Sequence, residues 1–316
     1  MGPGHYRCLS NRNRKGHTMS QQQRSVTVIG LGPMGRAMVR AFRKDGVEVT
    51  VWNRSADKAT AIAAEVGAIP AESLRAALEA NDLVVLSLTH YAAMYDVLEP
   101  VTGHLAGKVI ANLSSDSPEQ ARKGGAWIRS HGAEFLSGGV MSAGNNIEHP
   151  ASYIFYSGPR EVFDAHADLL GPLSPQEYLG LDDGLAQVFY QGLLTIFHPW
   201  LLAFDQATAM IERSGHDVAQ FVPFAVRSNA AFPYFMAEFS VANAAGGWAD
   251  EAGLRMMDAG AQHIIDASTE VGVDATLSRT AQAFWRRAVA ASVADGKPVS
   301  AYELMRRPAE PVTAPR

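Results

Sequence analysis

The chain is short of several features that would settle its class at once. It has one cysteine, Cys8, so no internal disulfide can form, which suits a reducing compartment. It has no apolar run long enough to span a bilayer. It has no basic excess: 27 Lys and Arg against 32 Asp and Glu leave a net charge of −5, which offers no footprint for nucleic acid. Residues 1–19, MGPGHYRCLSNRNRKGHTM, lack the apolar stretch of a signal peptide. We expect residues 1–23 to be a disordered leader or an over-long start, with Met19 a sensible initiator. Cys8 lies in it and is given no chemical role. The tail over 308–316 is Pro-rich and expected to be flexible. These absences predict a cytoplasmic protein that binds neither membrane nor nucleic acid.

What is present is enough for more than one core. At 316 residues and 47% hydrophobic, the chain predicts a globular protein of two domains. Residues 25–32, SVTVIGLG, read as a β-branched strand ending in glycines. A helical stretch follows with Met34, Met38 and Phe42 on one side, and VEVTVWNR then reads as a second strand. The turn of this βαβ unit is GLGPMG. Gly30 permits the tight turn, Gly32 lets a pyrophosphate approach the backbone, and Gly35 lets helix and strand pack closely. Leu31, Pro33 and Met34 complete the loop, and the helix N-terminus faces the phosphates. The second strand ends in Asn53, Arg54 and Ser55, with Lys58 one turn on. The acid that usually holds an NAD ribose is missing. Arg54 can stack on adenine and pair with a 2′-phosphate, Ser55 and Lys58 adding donors, so the reading is NADPH. The alternative is a solvated helix start.

Further strands are expected at 83–89, 109–115, 133–141 and 152–158. Ser117-Pro118-Glu119-Gln120 opens a helix with Ser at N-cap. This alternation predicts a mostly parallel, doubly wound α/β sheet of the Rossmann type over 24–182. Ligands lie beyond the carboxyl ends of such strands, which places Leu88, Thr89, His90, Ser114, Ser115, Met141 and Ser142 near the nicotinamide end. Each of these could also be a loop residue without a role. Asn145 and Asn146 could reach the nicotinamide amide or cap a turn. From Asp183 the β pattern stops. Residues 183–213 predict one long interdomain helix, interrupted by Pro199, with too little polar surface to lie alone in water. Residues 214–307 predict an all-α domain too thin to cover it. A homodimer with interlocked helical domains is therefore expected.

GLGPMG, WNRS with Lys58, LSSDSPEQAR and the long helix with its helical domain together resemble the 6-phosphogluconate/β-hydroxyacid dehydrogenase superfamily from about residue 25 onward. In that superfamily the long helix opens Gly-x-Gly-x-x-x-Lys-x-x-x-Asn. On this chain Gly184 and Ala186 take the glycine places, Tyr190 the lysine and Leu194 the asparagine. No lysine occurs between Lys123 and Lys297, so the hydroxyacid proton-transfer group is gone. The chain instead resembles the imine reductases within the superfamily, which carry Asp or Tyr here. Their strand-six motif is matched by Leu136-Ser137-Gly138-Gly139-Val140-Met141, and DEAGLRMM resembles their Asp-Glu-Ala-Thr-Leu stretch.

The resemblance implies hydride transfer from NADPH to a C=N bond, the substrate being an imine or a ketone plus an amine. Tyr190 would be the catalytic residue, as proton donor or imine anchor. Alone on an apolar helix it would read as core. By family position His198 lines the substrate pocket, with Met141 nearby. Alone His198 would be a core or capping histidine. Phe232, Phe235, Met236, Trp248 and Met257 from a partner subunit would complete the pocket, although such residues at helical spacing are usually core. Two other readings remain: a β-hydroxyacid dehydrogenase with altered acid chemistry, and a non-catalytic NADP(H)-binding dimer acting as a sensor.

Overall fold

A computed structural model describes residues 24–142, 146–248 and 251–307. The leader with Cys8, Asn145 and the tail from Pro308 lie outside the described residues. The chain folds as two units, one ending at Leu193 and the other beginning at Leu194.

The first unit is built on one eight-stranded sheet. Its strands are β1 (Ser25–Ile29), β2 (Glu48–Trp52), β3 (Ile69–Pro70), β4 (Leu83–Leu86), β5 (Val109–Asn112), β6 (Glu134–Met141), β7 (Tyr153–Ser157) and β8 (Gln176–Gly180). Their order is β3-β2-β1-β4-β5-β6-β7-β8. All neighbours are parallel except β6 and β7. The helices α1 (Pro33–Lys44), α2 (Ala56–Val66), α3 (Leu74–Ala80), α4 (Tyr91–Leu98), α5 (Pro118–Ser130) and α6 (Arg160–Leu170) are interleaved with the strands. The β-branched strand residues explain the double cover. Successive side chains alternate faces, so Val26 and Val28 join Met38, Phe42, Val49 and Val51 in one core, while Ile29 joins Val84, Leu86 and Tyr91 in the other. Thr27 is polar yet fully buried. Its Oγ1 donates to the Ala77 carbonyl at 2.8 Å and accepts from Asn81 Nδ2 at 3.0 Å, which removes the cost of an unpaired hydroxyl.

The expected capping start of α5 is present, Ser117 Oγ accepting from Gln120 N at 3.3 Å. Two strands escape the sequence reading. β3 has two residues and ends in a proline, tolerable only at a sheet edge. β8, QEYLG, buries none of its residues and, with one exposed and four half-buried, shows little alternation.

Helix α7 (Leu185–Arg213) is continuous through Pro199, and the division between units falls within it. The second unit continues with α8 (Val218–Asn229), α9 (Phe232–Ala244), α10 (Glu251–Glu270), α11 (Thr276–Asp295) and α12 (Ala301–Arg306). Gly246, Gly247 and Gly272 have positive φ and mark the loops between these helices. The core of this unit is small: Leu254, Ala288, Val299 and Leu304, flanked by Trp248 and Trp285. Polar links do much of the tying. Gln206 Nε2 donates to Ser268 and Ser278 hydroxyls at 3.0 and 2.9 Å, and Arg286 pairs with Asp258 at 2.8 Å.

Candidate active site

A groove of about 400 Å³ runs past the ends of β1, β2 and β4. It is lined by Gly30, Leu31, Gly32, Pro33 and Met34, by Asn53, Arg54, Ser55 and Lys58, and by Leu88 and Thr89. The three glycines play different parts. Gly30 has φ +95°, and a Cβ on it would collide with the Ser87 carbonyl. A Cβ on Gly35 would collide with the Gly30 carbonyl, so these two are demanded by the protein's own packing. Gly32 is not: a Cβ there meets nothing within 4 Å. The space beside Gly32 is thus free for a ligand to approach main chain, as a pyrophosphate requires. Helix α1 begins there with no side-chain cap and no acid in its first turn, leaving its N–H groups to face an anion.

Asn53 is spent on the protein itself. Its Oδ1 accepts from Leu31 N at 3.0 Å and its Nδ2 donates to the Ser55 carbonyl at 3.2 Å, tying the glycine loop to the end of β2. Arg54 and Lys58 are exposed, and among the described residues neither side chain has an ion-pair partner. Two unpaired cations at the start of α2 oppose its dipole, and a 2′-phosphate would reverse that repulsion.

Met34, Ser87, Leu88 and Thr89 also border a second cavity of about 180 Å³, whose other walls are Leu113, Ser114, Ser115, Gly138, Gly139, Val140 and Tyr190. Ser114 is buried; its Oγ accepts from Leu88 N at 3.0 Å and its N donates to Asn112 Oδ1 at 3.0 Å. Tyr190 is half-buried, and among the described residues no side chain hydrogen-bonds its hydroxyl. A Cβ on Gly139 would stand 2.8 Å from Tyr190 Cβ and 3.3 Å from the Ala186 carbonyl, so this glycine lets α7 settle against β6.

The root of α7 is anchored by polar groups. Ser157 Oγ donates to the Asp183 carbonyl and accepts from Ala186 N, both at 3.1 Å. Arg122 holds the Asp182 carboxylate through two bonds of 2.8 Å and keeps it below the usual carboxylate range. The Asp183 side chain is 8% exposed and bonded to Arg129. Burial pushes its carboxyl up to about 6, against the pull of Arg129.

Other expected residues lie apart from these cavities. His90 caps α4, its Nδ1 accepting from Ala93 N at 3.1 Å, and it lines neither cavity. Met141, half-buried at the end of β6, also lines neither, and Asn146 is exposed. His198, Phe232, Phe235, Met236, Trp248 and Met257 belong to the second unit. His198 and the α9 residues are exposed, while the Trp248 ring packs edge-on to Phe239. The sequence reading missed Gln187 and Gln191, whose side chains reach residues 114–116 and 138. Their signal was present: two amides flanking Tyr190 on an otherwise apolar turn must find polar partners.

Residues 25–180 match the NAD binding domain of 6-phosphogluconate dehydrogenase, and residues 182–307 match the NADPH-dependent reductive aminase-like C-terminal domain. An imine reductase from Streptomyces aurantiacus is 38% identical over 90% of this chain and 99% of its own, with a TM-score of 0.82. A reductive aminase from Aspergillus terreus, solved in complex with NADPH and ethyl levulinate, is 28% identical over 90% and 99%, with a TM-score of 0.79. The NADPH-dependent reductive aminase of Aspergillus oryzae is 33% identical over 61% of this chain, and that match spans 65% of the fungal enzyme, a little under two thirds. With both domains matched and the Streptomyces enzyme covered almost end to end, the chain belongs to the imine reductase and reductive aminase family.

Proposed function

We propose that this chain is an NADPH-dependent oxidoreductase that reduces C=N bonds to amines, with Tyr190 at the reacting nitrogen. One observation carries the reading. Among the described residues the only titratable side chain on the Tyr190 cavity is that phenol, and the cavity shares a wall with the cofactor groove. The groove fits NADPH through the open face of Gly32 and the unpaired Arg54 and Lys58. When bound, NADPH supplies the hydride. The residues of the chain do the rest. Met34, Leu88, Leu113 and Val140 give the reacting end apolar walls. The Tyr190 hydroxyl, which no side chain among the described residues engages, donates to the substrate nitrogen. A lysine at this position would place an ammonium against an iminium.

The substrate class we propose is an imine or iminium, formed beforehand or from a ketone plus an amine. We propose further that the protein works as a homodimer. α8 and α9 bury none of their own residues, and exposed apolar surface of this extent marks an interface. In this reading His198 and Met141 line the substrate pocket, and Phe232, Phe235, Met236, Trp248 and Met257 of a second copy complete it.

The test is NADPH consumption with a cyclic imine, alongside 3-hydroxy acids with NADP⁺. Turnover of the imine alone supports the proposal, and turnover of a hydroxy acid alone overturns it. Tyr190→Phe should keep NADPH affinity and lose ~100-fold or more in kcat on neutral imines, the range of general-acid contributions. Full kcat across pH in that variant would demote Tyr190 to packing.

A further inference from the structure

We propose that Gln187, seconded by Gln191, is a positioning residue that fixes Tyr190 over the reacting centre. The proposal rests on the reading of Tyr190 given above. Gln187 is fully buried, and every hydrogen bond of its side chain goes to main chain. Its Oε1 accepts from Asp116 N at 3.3 Å. Its Nε2 donates to the Ser114 carbonyl at 3.2 Å and the Gly138 carbonyl at 2.9 Å. One amide thus joins three elements: the segment after β5, strand β6 and helix α7. Ser114, Gly138 and Tyr190 are all walls of the same cavity. Residues three apart share a helix face, so Gln187 and Tyr190 project toward the same side of α7.

Gln191 repeats the grip one turn on. Its Nε2 donates to Ser115 Oγ at 3.1 Å and to the Asp116 carbonyl at 3.0 Å. Residues 114, 115 and 116 are therefore each held from α7, by two glutamines that bracket Tyr190. The steric side leaves no slack in the same place, since even a Cβ on Gly139 would crowd Tyr190 Cβ. Hydrogen bonds draw the helix in and the glycine lets it arrive, which sets the height of the phenol above the cavity floor. A bulkier apolar residue would fill the space of Gln187 without fixing the sliding register of α7 against the 114–116 segment. Small displacements of a reacting group carry large rate penalties.

The test is a double-mutant cycle on the full-length protein, pairing Gln187→Met with Tyr190→Phe. The readouts are kcat and KM for a cyclic imine and the NADPH dissociation constant by fluorescence. Gln187→Met alone is expected to lower kcat ~10- to ~100-fold, with KM and NADPH affinity within about twofold. Added to Tyr190→Phe, it should cost less than about twofold more, because the group it positions is already gone. A purely structural glutamine would lower the unfolding midpoint and leave kcat intact, and that result overturns the proposal. So does a Gln187→Met loss that is equally large with and without the Tyr190 hydroxyl. If Gln187→Met does not fold, Gln191→Leu enters the same cycle and is judged in the same way. An undiminished kcat in Tyr190→Phe alone sinks the reading of Tyr190 and the clamp with it. Additivity beside an impaired Tyr190→Phe sinks only the clamp.

Discussion

The two units of this molecule treat apolar residues in opposite ways. In the first, Val28, Phe42, Val51, Leu86 and Phe135 are completely buried, and both faces of the sheet are covered by the unit's own helices. In the second, α8 and α9 contribute 12 and 13 residues without burying one. Phe224, Val226, Tyr234 and Val241 are each more than 60% exposed there. The first unit buries most of its large apolar side chains by itself, leaving Ile69, Leu181, Val188 and Phe189 exposed. The second leaves apolar surface exposed on α8 and α9, which is why we read it as the assembling half.

The largest expected effect separates the two directly. Phe42→Ala should cost ~3–5 kcal/mol of stability at every protein concentration, because it opens a cavity in a closed core. Phe235→Ala removes the same ring from an exposed position. It should act through assembly instead, shifting dissociation to higher concentration by ~1–2 kcal/mol, as interface aromatics do. Sedimentation over a dilution series, with denaturant melts at fixed concentration, reads both. A Phe235→Ala melt that falls as far as that of Phe42→Ala, with no change in assembly, would break the comparison.

The same contrast explains what could be read from the residues alone. The glycine loop, the WNRS end of β2 and the cap of α5 are local: a few consecutive residues carry the whole physical requirement, and the structure places them where the spacing predicts. The helices of the second unit were equally legible as helices. What packs on them is a different matter, because a helical period says which face is apolar and not what covers it. Gln187 illustrates the limit within the first unit. Its partners are main-chain groups at Ser114, Asp116 and Gly138, far away in sequence and of any residue type. His90 marks another limit: its place after β4 puts it toward the nicotinamide end in the sequence reading, and what the spacing does not reveal is that its ring caps the nearest helix N-terminus.

A second prediction sharpens the claim that the cofactor groove is complete within the first unit. Arg54→Ala should weaken NADPH by ~1.5–3 kcal/mol, the range for a charge-assisted hydrogen bond, and NADH by much less. The ratio should not depend on protein concentration, since every wall of the groove lies before residue 98. Equal weakening of both cofactors would refute the 2′-phosphate assignment. A ratio that changes with dilution would mean that assembly shapes the groove.

The smallest effect concerns how thoroughly each unit withdraws its acids from water. In the second unit Asp274 is held below its ordinary range by hydrogen bonds from Thr276. In the first, burial raises Asp183 from 3.8 to about 6. The groups facing it are Arg129, Arg122 and Asp182, and one of its carboxylate oxygens has no hydrogen-bond partner among the described residues. The sign follows from which state holds the proton. Between pH 4 and pH 6 the folded chain keeps it and the unfolded chain releases it, so the stability linked to Asp183 is fully present below 3.8 and lost as pH rises through about 6. Asp183→Asn removes that proton and should flatten the decline, by ~1–3 kcal/mol across the window. Arg129, whose side chain is 37% exposed, can turn to water when its partner is neutralised. Urea midpoints of both proteins from pH 4 to pH 7 decide it. If the two curves stay parallel, Asp183 is ionised in the folded state, its pairing with Arg129 outweighs burial, and the first unit hides its acids no better than the second.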